Sequence, residues 1–378
     1  MIDFARLQRA TSAARRMIRR QTPAVLTRSK EMRAWMNQCP AVFRPSRYWA
    51  HLATEDDKIL KQMKVENFKR CLPQHYFNWP VDHPANPQFA MLLRSWISAP
   101  SFTPVRAELG GSARVVLVTD EPGAPLKEWL TTTEGQRVYT LFVGLLWWHA
   151  TRVDPDQLAS RLAEPAIGNP IPVYLENRLI SQDVANSLRE FRRFQCYLAA
   201  ASRPTLAELG AGYGRLGYVA ITASSCRYWV IDIPPALAVA EWYLSHCFPD
   251  RRIFRWRPFA AWDEVASEIA QADIAFFTVD QLALFPEKSV DVFASVSTIH
   301  EMTPDQIKAY MTFQFRATSR AIYTKNWTSW HNHLDQNSFD STSIVAPDGW
   351  RTVLDAADDV IADFTEKLFV AEDIVDAR

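Results

Sequence analysis

From Leu206 onward the chain alternates short apolar runs with longer stretches of helical period. The runs cover residues 205–209, 228–233, 274–279, 290–296 and 320–323. Helices are predicted after Gly214, after Pro234-Pro235, near Trp262 and at Thr303-Pro304. This alternation predicts a parallel α/β sheet with crossover helices. The helix start at Thr303 is well marked, with Pro304 at the first helical position and Gln306 where a capping box needs it. Residues 350–369 leave room for two strands and no crossover helix after them. A terminal antiparallel strand pair is expected there.

The first half of the chain has a different rhythm. Residues 180–198 read as an amphipathic helix, with Ser181 as N-cap and Val184, Leu188, Phe191, Phe194 and Tyr197 along one side. Residues 126–150 also read as helix. So do residues 53–70, with Thr54 as N-cap, acids in the first turn and Lys/Arg in the last. The short run 113–119 fits a strand or a buried helical turn. Residues 1–30 hold eight Lys/Arg and one acid, Asp3, with Phe4, Leu7, Ala14 and Ile18 at helical spacing. They read as a solvated leader helix, though a basic amphipathic helix can also meet an anionic surface or a partner. The loop 73–89 carries four prolines beside His75, Tyr76, Trp79 and His83. It is read as a strut between helices or as a substrate loop. The boundary falls between about Asp154 and Ile180. It separates a mainly helical region, 1–165, from an α/β domain, 166–378.

Composition narrows the classes. A chain of 378 residues fits two domains, and 42 Lys/Arg against 42 Asp/Glu leave no net charge to favour nucleic acid. The densest apolar run, residues 140–148, is too short to span a bilayer, and the N-terminus lacks an apolar signal core. Five scattered cysteines without a C-x-x-C argue against a disulfide framework and fit a reducing cytoplasm. Fourteen tryptophans suit packing, interfaces or sugar faces. A homo-oligomer stays open.

The chemistry concentrates in Thr205–Gly217, TLAELGAGYGRLG. It reads as strand, glycine turn, helix. Glycines allow close backbone approach, and the helix N-terminus offers free N–H groups to a nucleotide-like ligand. Gly212-x-Gly214-x-x-Gly217, with Asp232 ending the next strand, fits a dinucleotide fingerprint. Glu208-x-Gly210-x-Gly212-x-Gly214 fits the S-adenosylmethionine loop of class I methyltransferases equally well. Asp232 would hold ribose hydroxyls in both cases. Three features favour methyl transfer: the acid Glu208 before the loop, the polar pair Asp280-Gln281 ending a strand, and Ser297-Thr298-Ile299-His300-Glu301 ending another.

With ELGAGYGRLG, VIDIPPALAVAEWYLS, FASVSTIHEMTPDQIKAYM, EPAIGNP and ISQDVANSLREF in view, residues 164–311 resemble the bacterial sugar O-methyltransferases of the class I, S-adenosylmethionine-dependent type. The resemblance implies a Rossmann-like sheet and methylation of a hydroxyl on a saccharide or glycosylated small molecule. It implies cofactor contacts from Glu208, Gly210, Gly212, Tyr213, Gly214, Asp232, Ile233 and Ser297, with Asp280 and Gln281 on adenine. A sugar hydroxyl needs a base or an acidifying metal. His300 and Glu301 are the first candidates. A second cluster, 327–335 (WTSWHNHLD), alternates His331, His333 and Asp335, so an extended segment would put them on one side. They could hold a divalent metal or supply the base, or the segment, Asp335 included, could be a substrate-binding loop, with Trp330 stacking on a sugar and Asn326 and Asn337 bonding its hydroxyls. The rivals are a NAD-dependent oxidoreductase and a non-catalytic binding protein of the same fold.

Overall fold

The computed structural model describes residues 22–72, 85–98, 115–117, 128–152, 156–175, 177–199 and 202–374. The basic stretch before Thr22, the loop 73–84, Gly110-Gly111 and the flanks of the 113–119 run lie outside them.

An eight-stranded sheet forms the centre, in the order β12-β13-β9-β8-β4-β5-β7-β6. Its strands are β4 (Thr205–Leu209), β5 (Arg227–Asp232), β6 (Ile253–Phe254), β7 (Ile274–Thr278), β8 (Val290–Val296), β9 (Thr318–Trp327), β12 (Trp350–Ala357) and β13 (Phe364–Ala371). Pairing is parallel from β9 to β6, while β13 runs antiparallel to both β9 and β12. This is the parallel α/β sheet with a terminal antiparallel pair that the hydropathy pattern predicts, and the Rossmann-like sheet that the resemblance implies.

The strands read as continuous apolar runs because both sheet faces are covered. Side chains alternate across a strand. Accordingly Leu206, Tyr228, Val230, Phe276, Val292 and Tyr323 enter one apolar cluster, and Ala207, Leu209, Trp229, Ile231, Phe277 and Phe293 enter the other. The first face is covered by α5 (Gln182–Ala199), α6 (Arg215–Ala223) and α7 (Ala236–Cys247). The second is covered by α8 (Ala266–Gln271) and α9 (Pro304–Ala317). Ser181 caps α5 through the Val184 amide at 3.1 Å, and the Thr303 capping box starts α9. Near Trp262 the expected helix is a short turn, 262–264, followed by the brief α8.

The N-terminal region supplies α1 (Thr22–Met36), α2 (Arg47–Met63), α3 (Pro87–Ile97) and α4 (Thr133–Thr151). It also contributes one strand to a small sheet completed from beyond residue 165. β1 (Val115–Leu117), β2 (Val173–Leu175) and β3 (Arg178–Ile180) make a small antiparallel sheet. Val25, Leu60, Phe68, Phe89 and Phe142 share one apolar cluster with the central sheet, so the core runs unbroken across residue 165. The helix expected from Ala53 begins at Arg47 instead. The Ser46 hydroxyl caps it by accepting from the Trp49 amide at 3.3 Å, while the Thr54 hydroxyl bonds back to the Ala50 carbonyl at 2.9 Å.

Candidate functional site

The glycine loop leaves the C-terminal end of β4, in the middle of the sheet. Gly210, Gly212 and Gly214 adopt φ of 72°, 58° and 88°, the left-handed region that glycine enters without a Cβ penalty. They are not equivalent. A Cβ on Gly210 would stand 2.0 Å from the Thr298 hydroxyl oxygen, whereas one on Gly212 would meet nothing within 4 Å. Gly210 is therefore required by packing, and Gly212 leaves bare backbone facing open space.

Two carboxylates flank the loop. Asp232, ending β5, accepts from the Gly212 amide at 2.7 Å and the Ile233 amide at 2.6 Å. Burial pushes its pKa up to about 7 against those two bonds. Glu208, in β4, accepts from the Tyr228 hydroxyl, and burial pushes it up to about 8 against the pull of Arg215. A Cβ on Gly217 would fall 2.2 Å from the Tyr228 ring. The third glycine of the apparent fingerprint thus makes room for the tyrosine that reaches Glu208.

A tight turn follows β8. Ser297 has φ 55° and its amide donates to the Lys325 carbonyl at 2.7 Å. The Asn326 side-chain oxygen accepts from the Thr298 and Ile299 amides at 3.3 and 3.0 Å and lies 3.3 Å from His300 Nδ1. Asn326 is buried and fastens this turn through its side-chain oxygen, while its Nδ2 has no partner among the described residues. His300 is 1% exposed, set among Trp330, Phe339 and Phe364. Burial pulls its pKa down to about 4, so the imidazole is neutral at pH 7. Its Nε2 stands 3.6 Å from Glu301 Oε1, too far for a hydrogen bond. Unlike His300, Glu301 is among the residues that line the cavity. Its Oε2 has no partner among the described residues, and burial together with the Asp232 charge holds its carboxyl well above the ordinary range.

These groups share one cavity of about 340 Å³. Glu208, Gly210, Gly212, Tyr213, Asp232, Ile233, Ser297 and Glu301 line it from the sheet side. The opposite wall comes from the N-terminal region: Phe43, Tyr48, Trp49, Leu52 and Asp56. The Gln306 side chain donates to the Arg44 carbonyl at 2.7 Å and holds that segment against α9. Asp335 accepts from the Arg47 and Tyr48 amides at 2.9 and 3.0 Å. A carboxylate at a helix N-terminus satisfies orphan N–H groups and meets the positive dipole end. Burial and the Glu301 charge raise the Tyr48 hydroxyl to about 12, so it stays protonated.

The 327–335 cluster divides. Trp327 and Trp330 line the cavity, their rings 5.8 Å apart, with Trp330 edge-on to Tyr48 at 6.3 Å. His331, His333 and Asp335 are not brought together as a metal trio. β10 (Ser329–Asn332) ends before His333, and the chain turns into β11 (Asn337–Asp340), so alternation no longer puts the three on one side. Both histidines are exposed, His331 bonding Ser338 at 2.9 Å, and Asp335 is committed to α2. Among the described residues, no group of three or more His, Cys, Asp or Glu is placed to hold a metal. Gln281 also departs from expectation. It is wholly buried, accepting from the Thr278 amide and donating to the Arg257 carbonyl, and it does not line the cavity. Asp280 accepts from the Trp35 indole at 2.9 Å, outside the lining set. Tyr48 and Trp49 were not singled out from the sequence. Their only signal there is the abundance of tryptophan.

A comparison with protein-family models returns no match, and neither does one with curated proteins. Solved structures overlap part of the chain. Magnesium protoporphyrin IX methyltransferase from Synechocystis PCC 6803 with bound SAM shows 12% identity over 50% of this chain and 84% of its own, with a TM-score of 0.31. A SAM-dependent methyltransferase from Leishmania major shows 15% identity over 50% and 71%, with a TM-score of 0.35. The 1,6-didemethyltoxoflavin-N1-methyltransferase of Burkholderia thailandensis, with bound 1,6-didemethyltoxoflavin and S-adenosylhomocysteine, shows 13% identity over 51% of this chain and 79% of its own, with a TM-score of 0.33. Overlap at this level carries no functional weight.

Proposed function

We propose that the protein is an S-adenosylmethionine-dependent methyltransferase that acts on a sugar hydroxyl of a saccharide or glycosylated small molecule. The observation that carries this reading is the juxtaposition of an open glycine cradle at Gly212, the ribose-type acid Asp232 and an unpartnered Glu301 in one cavity. The residues present fit the cofactor. Gly212 leaves space where a side chain would obstruct, and the Asp232 carboxylate can accept two hydroxyl donors. When bound, S-adenosylmethionine supplies an electrophilic methyl group on a sulfonium. The antiparallel end of the sheet and the Tyr228–Glu208 bond under the loop support this cofactor over NAD.

The chain's own groups then divide the work. The Glu301 carboxylate takes the acceptor's hydroxyl proton. Once ionised, its desolvated carboxylate binds that proton more tightly than an exposed one. His300 is the neutral, apolar-packed wall that keeps water from Glu301. Tyr48, Trp49, Trp327 and Trp330 offer aromatic faces suited to the C–H face of a ring. The test is transfer of labelled methyl from S-adenosylmethionine to a panel of neutral glycosides. Glu301→Gln is expected to lower turnover by about 100-fold or more, the usual scale of general-base loss. An unchanged rate would remove Glu301 from the role.

A further inference from the structure

The glycine loop contains one large side chain, Tyr213, which lines the cavity but sends its hydroxyl to α5. Its hydroxyl donates to Asp183 Oδ2 at 2.7 Å, inside the first turn of α5. Both groups are buried, at 2% and 1% exposure. Burial keeps the Tyr213 hydroxyl protonated, so it stays a donor. The ring is wedged between Phe68 and Tyr243, each with centroids 5.0 Å away, beneath the Lys69 ammonium at 5.2 Å. Lys69 pairs with Glu164, and Glu164 accepts from the Ser181 hydroxyl that caps α5. The loop is thus tied, through one side chain, to a polar cluster built from residues 68–69, 164 and 181–183. None of these belongs to the central sheet.

The neighbouring residue is tied from the other direction. The Gly212 amide is held by Asp232 on the cavity side. Adjacent residues are therefore anchored to different elements, β5 and α5, at the point where Gly212 has φ 58°. A loop held in its bound shape loses less freedom on binding.

We propose that Tyr213 and Asp183 are positioning residues for the cofactor. Their buried hydrogen bond holds the glycine loop in binding shape, so cofactor affinity is set partly from outside the sheet. This deepens the proposed function and rests on it for the identity of the ligand.

The test is calorimetric titration with S-adenosylhomocysteine. Tyr213→Phe keeps the ring and loses the bond. Its dissociation constant is expected to rise about tenfold, the scale of one buried hydrogen bond. The double variant Tyr213→Phe/Asp183→Leu leaves no unsatisfied carboxylate. It should show the same rise and serves if the single variant fails to fold. Tyr323→Phe is the control, since it removes a comparable buried bond to Glu366, 2.6 Å long, on β9. It should lower stability and leave the affinity within twofold. Wild-type affinity in the Tyr213 variants, or an equal loss in the Tyr323 variant, overturns the proposal. If the wild-type protein does not bind the ligand, the functional reading fails. Amide exchange over residues 211–215 still decides the loop claim, with faster exchange in Tyr213→Phe and not in Tyr323→Phe supporting it, and any other pattern overturning it.

Discussion

Gly210 and Gly212 are two residues apart, share a positive φ, and are expected to fail in different ways. In Gly212→Ala the new Cβ meets no atom of the free protein within 4 Å. The cost to folding is then the left-handed backbone alone, about 1–2 kcal/mol, or a melting-point loss of a few degrees at about 2–4 °C per kcal/mol. The methyl group does, however, occupy the space in which a cofactor would touch backbone. Overpacking costs about 1–3 kcal/mol, which corresponds to an affinity loss of about 5- to 150-fold. In Gly210→Ala the Cβ stands 2.0 Å from Thr298 Oγ1 and 2.3 Å from its Cγ2. Thr298 cannot retreat freely, because Asn326 holds its amide. Backbone strain and overpacking add to about 2–5 kcal/mol of lost stability. Scanning calorimetry reads the first quantity for each variant, and titration with S-adenosylhomocysteine reads the second. A Gly212→Ala protein that binds as wild type, or a Gly210→Ala protein no less stable than Gly212→Ala, refutes the division of roles.

Asp232 makes binding and stability depend on pH in opposite directions. Its folded pKa, raised to about 7, means that stability present below the unfolded value near 4 is lost as pH rises through 7. The free protein should melt lower at pH 8 than at pH 5, and Asp232→Asn should flatten that slope. Cofactor binding needs the ionised form, so affinity should rise about tenfold per pH unit up to about 7 and then level off; a pH-independent titration contradicts this. Asp335→Ala frees the start of α2 and should cost about 1 kcal/mol in a denaturant titration. Backbone bonds hold the Asp335 carboxyl below its usual range, so its contribution is present above pH 4 and lost as pH falls lower. Stability equal to wild type at pH 7 would deny the cap.

Most of the sheet was legible because the apolar runs have the length of strands and the clearest crossover begins with a recognisable signal, Thr303-Pro304-x-Gln306, whereas the two-residue edge strand Ile253–Phe254 was too short to show as a run. The glycine loop was legible because positive φ leaves few alternatives to glycine. Side-chain direction was harder to read. His300 and Glu301 are adjacent, and only the 3₁₀ turn after Ser297 decides that the acid lines the cavity while the histidine enters the core. The His331–Asp335 alternation assumed an extended chain; the two imidazoles do meet, their centroids 4.6 Å apart, but the turn at 333–336 carries Asp335 away to α2. Gln281 looked like a ligand contact at a strand end, but in that position it was needed to cap the following turn. The contribution of Tyr48 and Trp49 depends on a long-range contact, α2 against β10–β11, for which a local pattern gives no sign.

The most direct measurement of the central claim is a pair of calorimetric titrations of the wild-type protein, one with S-adenosylmethionine and one with NAD. The account predicts saturable one-to-one binding of S-adenosylmethionine, abolished in a Gly212→Val variant, and no heat from NAD. Binding of NAD with none of S-adenosylmethionine would contradict it.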